Sequence, residues 1–212
     1  MKSSFYGILI VFLVFACISF AAPRPAVVQG PNQWTLNTEF IHPQQIVIRR
    51  ASDNKPVRFW YMIITLTNNS GRDADFFPKC ELVTDTFQIN PAGQGVGSVV
   101  FERIKERHKN RYPFLELLSQ TDNKILQGED NTKDIAIIWS DFDHDAKKIS
   151  IYITGLSNET AVVQYPAPQK PDFEQKKVYL RKTLEINYDI KGDMASYNGA
   201  ELAYKNKSWV MR

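Results

Sequence analysis

The chain has 212 residues, 43% hydrophobic and 23% charged, and its 26 Lys+Arg against 23 Asp+Glu leave a formal charge of +3. That near-balance excludes the strongly basic surface of a general nucleic-acid binder, and the apolar content excludes a disordered chain. With only Cys17 and Cys80, a disulfide-stapled scaffold is excluded as well.

The first element is MKSSFYGILIVFLVFACISFAA. Lys2 gives a basic start, and the apolar run from Tyr6 to Ile18 is shorter than the roughly 20 residues that a spanning helix needs. Ser19 and Ala21 then supply small residues suited to a peptidase, so residues 1–21 are expected to be a secretory signal peptide. Leu-Val-Phe-Ala-Cys, ending at Cys17, resembles a lipoprotein box with the cysteine as lipid acceptor. Phe15 is bulky where such a box wants a small residue, so soluble export to the periplasm or exterior is preferred to a lipid anchor. Removing residues 1–21 leaves about 190 residues, one ordinary domain, and a net charge near +2. Cys80 then stands alone and reads as a small buried apolar side chain. No later stretch is apolar enough to span a bilayer. Residues 22–32, rich in proline and small residues, are expected to be a flexible lead-in to a single domain over 33–212.

Within that domain, the alternation of Trp34, Leu36, Thr38 and Phe40 predicts a strand, and Ile46 to Ile48 a second after a Pro-Gln-Gln turn. VRFWYMIITL, Val57 to Leu66, is apolar on both faces and predicts a central strand whose second face needs a cover. Phe76, Phe77 and Leu82 to Ile89 predict further strand, with Pro78 at an edge or bulge. The period then changes. Val96, Val100, Phe101, Ile104 and His108 recur at helical spacing, and Phe114 to Leu118 suggests a second short helix after Pro113. This helical insertion, around residues 97–120, is the predicted cover for the central strand. Gly93, Gly95 and Gly97 before it read as a mobile hinge.

Strands resume at Ile135 to Trp139, Ile149 to Ile153 and Ala161 to Tyr165. Val178 to Ile190 alternates most clearly, with Leu184, Ile186 and Tyr188 on a core side and Tyr179, Glu185 and Asn187 on a wet side. Tyr197-Asn198-Gly199-Ala200 signals a two-residue hairpin before a last strand near Trp209. Many short strands without a repeated βαβ unit predict a mainly β fold: an antiparallel, immunoglobulin-like β-sandwich with one helical insertion.

Several chemistries could sit on that frame. In WSDFDHDAKKIS, Asp141, Asp143 and Asp145 match the first ligand positions of a calcium loop. Ala146 stands where glycine is wanted, however, and Tyr152 where the bidentate glutamate belongs. A hairpin loop over 140–147 is preferred, with a calcium-stabilised adhesive domain as an alternative. Glu129 and Asp130, together with Asp141 and Asp143, are the only carboxylates worth testing as a glycosidase group, which makes a hydrolase of envelope carbohydrate the rival reading. His42, His108 and His144 lie far apart in sequence. No zinc, serine-nucleophile or phosphate-loop motif is present. Thus neither a catalytic residue nor a cofactor is assigned.

ERIKERHKNR concentrates positive charge in Arg103, Lys105, Arg107, Lys109 and Arg111 against Glu102 and Glu106. One reading is a solvated helix face with pairs such as Glu102 to Lys105. The other is an anion-facing patch for an anionic envelope polymer or an acidic protein partner, with nucleic acid disfavoured.

FWYMIITLTNNSGRDADFFPKCELVTD, ILQGEDNTKDIAIIW, IYITGLSNETAVV and VYLRKTLEINYDIKGD resemble an uncharacterised class of secreted proteins from planctomycete-type bacteria and are similar to bacterial extracellular immunoglobulin-like modules. The resemblance covers roughly residues 34 to 192. It implies an exported β-sandwich acting as a non-catalytic interaction or structural module, and implies no catalytic residue. Were the source not bacterial, Asn68, Asn158 and Asn206 would be candidate glycosylation acceptors in turns.

Overall fold

The computed structural model describes residues 26–27, 32–50, 52–164, 177–197 and 199–212. The expected signal peptide, Cys17 and most of the lead-in lie outside the described residues. Ala26–Val27 within that lead-in form a short strand, β1, paired with residues 161–162.

The remaining elements in chain order are β2 (Asn37–Phe40), β3 (Gln44–Arg49), β4 (Pro56–Asn68), β5 (Ala74–Asp75), β6 (Lys79–Thr84), β7 (Ile89–Pro91), α1 (Ser98–His108), β8 (Glu116–Leu117), β9 (Lys124–Ile125), β10 (Gly128–Ser140), β11 (Lys148–Thr154), β12 (Thr160–Gln164), β13 (Lys177–Gly192) and β14 (Ala200–Met211). They form two main sheets. In the first, β4 lies between β10 and the successive strands β2 and β3, and β8 adds to the far side of β10. In the second, β7, β6, β11, β13 and β14 follow one another, with β12 and β1 extending from β13. Except for β8, all of this pairing is antiparallel. β5 and β9 pair separately.

The period-2 pattern of β4 explains the packing. Trp60, Met62, Ile64 and Leu66 face the second sheet, meeting Leu82, Ile151, Ile153, Leu184, Ile186 and Tyr188 in a shared core, while Phe59, Tyr61 and Ile63 point the other way. The second face is covered by α1 through Val100, Phe101 and Ile104, as the doubly apolar strand required. Burying a side chain such as Ile104 contributes about 1.5–3 kcal/mol. Gly97 at the N-cap makes no side-chain capping bond, so an 11-residue helix of this kind is held by that packing. Leu184, Ile186 and Tyr188 of β13 are buried and Tyr179 is exposed, as the alternation predicts. Cys80 is buried, and burial pushes its thiol pKa up.

Four local expectations are corrected. The helical insertion ends at His108. Instead of a second helix, Glu116 and Leu117 pair in parallel with Ile135 and Ala136, followed by a 3₁₀ turn at Leu118–Gln120. The edge of β10 offers unpaired backbone groups there, and strand pairing satisfies them. Pro78 precedes β6, which is an interior strand, so it marks no edge. Gly93 is no loose hinge, because its N–H donates to the Ile138 carbonyl at 2.8 Å. The β13–β14 connection takes seven residues, 193–199. At Gly192, with φ of +81°, a Cβ would lie 1.9 Å from the Gly199 carbonyl oxygen, so the tight approach requires glycine.

Candidate anion-binding groove

The basic stretch of α1 does not form one patch. At 3.6 residues per turn, Arg103 and Arg107 stack one turn apart, while Lys105 and Lys109 fall on a different side. Lys105 lies 5.8 Å over the Phe101 ring, Lys109 pairs with Glu106 at 2.5 Å, and Arg111 lies 5.2 Å over Tyr112. The expected Glu102–Lys105 pair is thus replaced by Glu106–Lys109.

Arg103 and Arg107 instead face strand β3, where they line an open groove of about 470 Å³ with Arg49, Val99 and residues 46–48. Ile46, Val47, Ile48 and Val99 give it an apolar wall, and among the described residues no carboxylate lines it. Arg49 donates to the Asn54 carbonyl at 3.2 Å. Arg103 makes no ion pair or hydrogen bond among the described residues. The sequence stretch named the helix but missed Arg49, because only β3's position beside α1 adds it.

Behind the groove, Tyr61 fixes Arg107. Its hydroxyl donates to Gln44 Oε1 at 2.9 Å and accepts from Arg107 Nη1 at 3.2 Å, and Arg107 Nη1 also reaches the Gln45 carbonyl at 3.4 Å. His108 Nε2 lies 2.9 Å from the same hydroxyl, so with the tyrosine proton spent on Gln44, Nε2 carries the ring proton and donates. Burial lowers the His108 pKa from its ordinary 6.5, and Arg107 and Arg111 lower it further. Burial raises that of Tyr61, against the hydrogen bond from Arg107.

The aspartate loop serves another purpose. β10 and β11 belong to different sheets, so the residues between them are no hairpin; they carry the chain across the end of the core, with Phe142 and Ala146 buried. Asp141 accepts from Arg58 Nε at 3.0 Å and from Trp60 Nε1 at 3.1 Å, and its other oxygen lies 3.0 Å from His144 Nε2. Arg58, 1% exposed, also donates to the Ser196 and Met194 carbonyls at 3.0 and 2.7 Å. Asp143 accepts from the Asp145 N–H at 3.0 Å, an Asx turn. The Thr86 hydroxyl and that N–H hold its carboxyl below the usual range. Asp141 and Asp143 are therefore committed within the protein. Among the described residues no three His, Cys, Asp or Glu side chains stand together as a metal site.

Glu129 and Asp130 begin β10, whereas Asp141 and Asp143 follow its end. Gly128 and Ser140 stand opposite Asn68 and Phe59, nine residues apart on β4, so at about 3.3 Å per residue the two pairs lie roughly 25–30 Å apart. Paired carboxylates of a glycosidase stand within about 10 Å, so this group does not converge.

His42 Nδ1 lies 3.1 Å from the Tyr188 hydroxyl, whereas His108 meets Tyr61. Asn68 is fully buried at the end of β4, donating to the Arg72 and Ile125 carbonyls, so it offers no glycan acceptor. Asn206 is in the middle of β14 and not in a turn. Asn158 does lie in a loop.

No protein-family model matches the chain, and no curated protein and no solved structure matches it. No helix among the described residues is long and apolar enough to cross a membrane.

Proposed function

We propose that this protein is an exported, non-catalytic interaction module of the bacterial envelope or exterior, with an immunoglobulin-like sandwich as scaffold, and that the groove between α1 and β3 receives an anionic envelope polymer. The observation that carries the reading is the meeting of Arg49, Arg103 and Arg107 along a groove without a lining carboxylate. Guanidinium groups bind phosphate and carboxylate in forked geometry, and the apolar wall lowers the local dielectric around them. Arg107 is set in place by Tyr61 and Gln45, while Arg103 has no such partner among the described residues. The signal-peptide pattern of residues 1–21 supports the envelope as the setting.

The test is binding of polygalacturonate and of inorganic polyphosphate at two salt concentrations. Binding should weaken with salt, and Arg49→Glu with Arg103→Glu should weaken it by about tenfold or more at the lower salt. Equal binding by wild type and the double variant would end the proposal.

A further inference from the structure

A second pocket, of about 370 Å³, lies where β5 and β13 approach the loop after β11, lined by Trp34, Phe77, Asp75, Asn158, Thr160 and Arg181 among others. Its wall is built with care. Gly155 has φ of +93°, and a Cβ there would lie 2.7 Å from the Phe77 carbonyl oxygen, so glycine is what lets the loop close on Phe77. Beyond it, Trp34 N–H donates to Asn158 Oδ1 at 2.8 Å, and Ser157 Oγ donates to the Trp34 carbonyl at 2.8 Å. Glu159 is held by Thr35 at 3.1 Å and Lys182 at 2.5 Å. Those bonds immobilise the wall and leave other groups unspent.

Asp75 and Arg181 come from different strands and line the same pocket, yet they form no ion pair with each other. Among the described residues neither side chain has a hydrogen-bond partner, and the Thr160 hydroxyl has none. Phe77 is 62% exposed, although an apolar ring of that size gains from burial. The pocket therefore combines a fixed loop, an acceptor-only carboxylate, a donor-only guanidinium, a hydroxyl and aromatic surface.

We infer that this pocket binds a neutral saccharide ring, with Phe77 and Trp34 providing aromatic surface and Asp75 and Arg181 taking its hydroxyls. A sugar hydroxyl both donates and accepts, so neighbouring hydroxyls answer a carboxylate and a guanidinium at once without a net charge. The C–H face of the ring packs on aromatic carbon. The volume falls in the range of small-ligand sites, about 300–1,000 Å³, and suits one or two rings.

The experiment titrates chitotriose, cellotriose and maltotriose into the protein while following the Trp34 indole and the Gly155 and Asn158 amide resonances. At least one trisaccharide should shift them with a Kd on the order of 1 mM. Phe77→Ala and, independently, Arg181→Gln should each weaken that binding by about fivefold or more, with Asp75→Asn a third check. Phe77→Ala is at an exposed site, and an unchanged urea midpoint would show that it folds. The proposal is overturned if none of the three sugars moves these resonances at about 10 mM, or if the shifts persist undiminished in both Phe77→Ala and Arg181→Gln. It is also overturned if a zwitterionic dipeptide such as alanylglycine shifts them and the sugars do not.

Discussion

Arg58 and Arg103 sit on opposite sides of the same sheet and are used in opposite ways. Arg58 is withdrawn from water and spends its donors on Asp141, Ser196 and Met194, joining the loop after β10 to the β13–β14 connection at one end of the sandwich. Arg103 stands at the open groove beside β3 without a partner among the described residues. A buried guanidinium with every neighbour supplied belongs to the fold, since removing a partner leaves a charge that cannot reach water. One left unspent at a groove is free to meet a ligand. The difference lies entirely in what surrounds each side chain.

Arg58→Met should sharpen the contrast most, lowering stability in urea unfolding by about 3 kcal/mol through loss of the buried pair and its carbonyl bonds. A loss below about 1 kcal/mol would mean that Arg58 is not the tie described. Asp141→Asn keeps an acceptor but removes the charge. Because Asp141 is partly exposed, its effect should be smaller, about 1–2 kcal/mol in the same measurement.

His108 offers a pH test on the groove side. Its folded pKa lies below 6.5, so the unfolded chain takes up a proton first as pH falls. The stability this contributes is present above about pH 6.5 and is lost as pH drops through the folded value. Urea midpoints from pH 7.5 to 5 should therefore decline in wild type and decline less in His108→Gln; parallel curves would remove the histidine from the account. The smallest effect belongs to Arg103→Glu, which should change the unfolding free energy by no more than about 0.5 kcal/mol. A larger loss would make Arg103 structural and break the comparison.

The doubly apolar run in β4 announced its own need for two coverings, and the 3.6 spacing of Val100, Phe101 and Ile104 announced one of them. The alternation in β13 was equally plain. Phe114 to Leu118 misled because a short apolar stretch has no period of its own, and the open edge of β10 decided its conformation. The aspartates read as a turn, and a turn is there, but not the expected hairpin, because β10 and β11 belong to different sheets. Carboxylates on alternate positions fit a turn as well as a cation, and Arg58 lies 83 residues from Asp141. Arg58 itself left a signal, a lone charge inside VRFWYMIITL, which a strand buried on both faces tolerates only with a partner. Arg49 left none.

By itself the sequence determined the strand-rich class, the helix that covers β4 and the positive charge on that helix, because these follow from side-chain periods repeated along contiguous residues. Only the tertiary structure decided which charges are spent. It tied Arg58 to Asp141, left Arg103 open beside Arg49, carried Glu129 and Asp143 to opposite ends of β10, and left Asp75 and Arg181 unpaired in one pocket. The physical reason is range: a period is written in neighbouring residues, whereas the energy of a charge is set by whatever the fold places within a few ångströms of it.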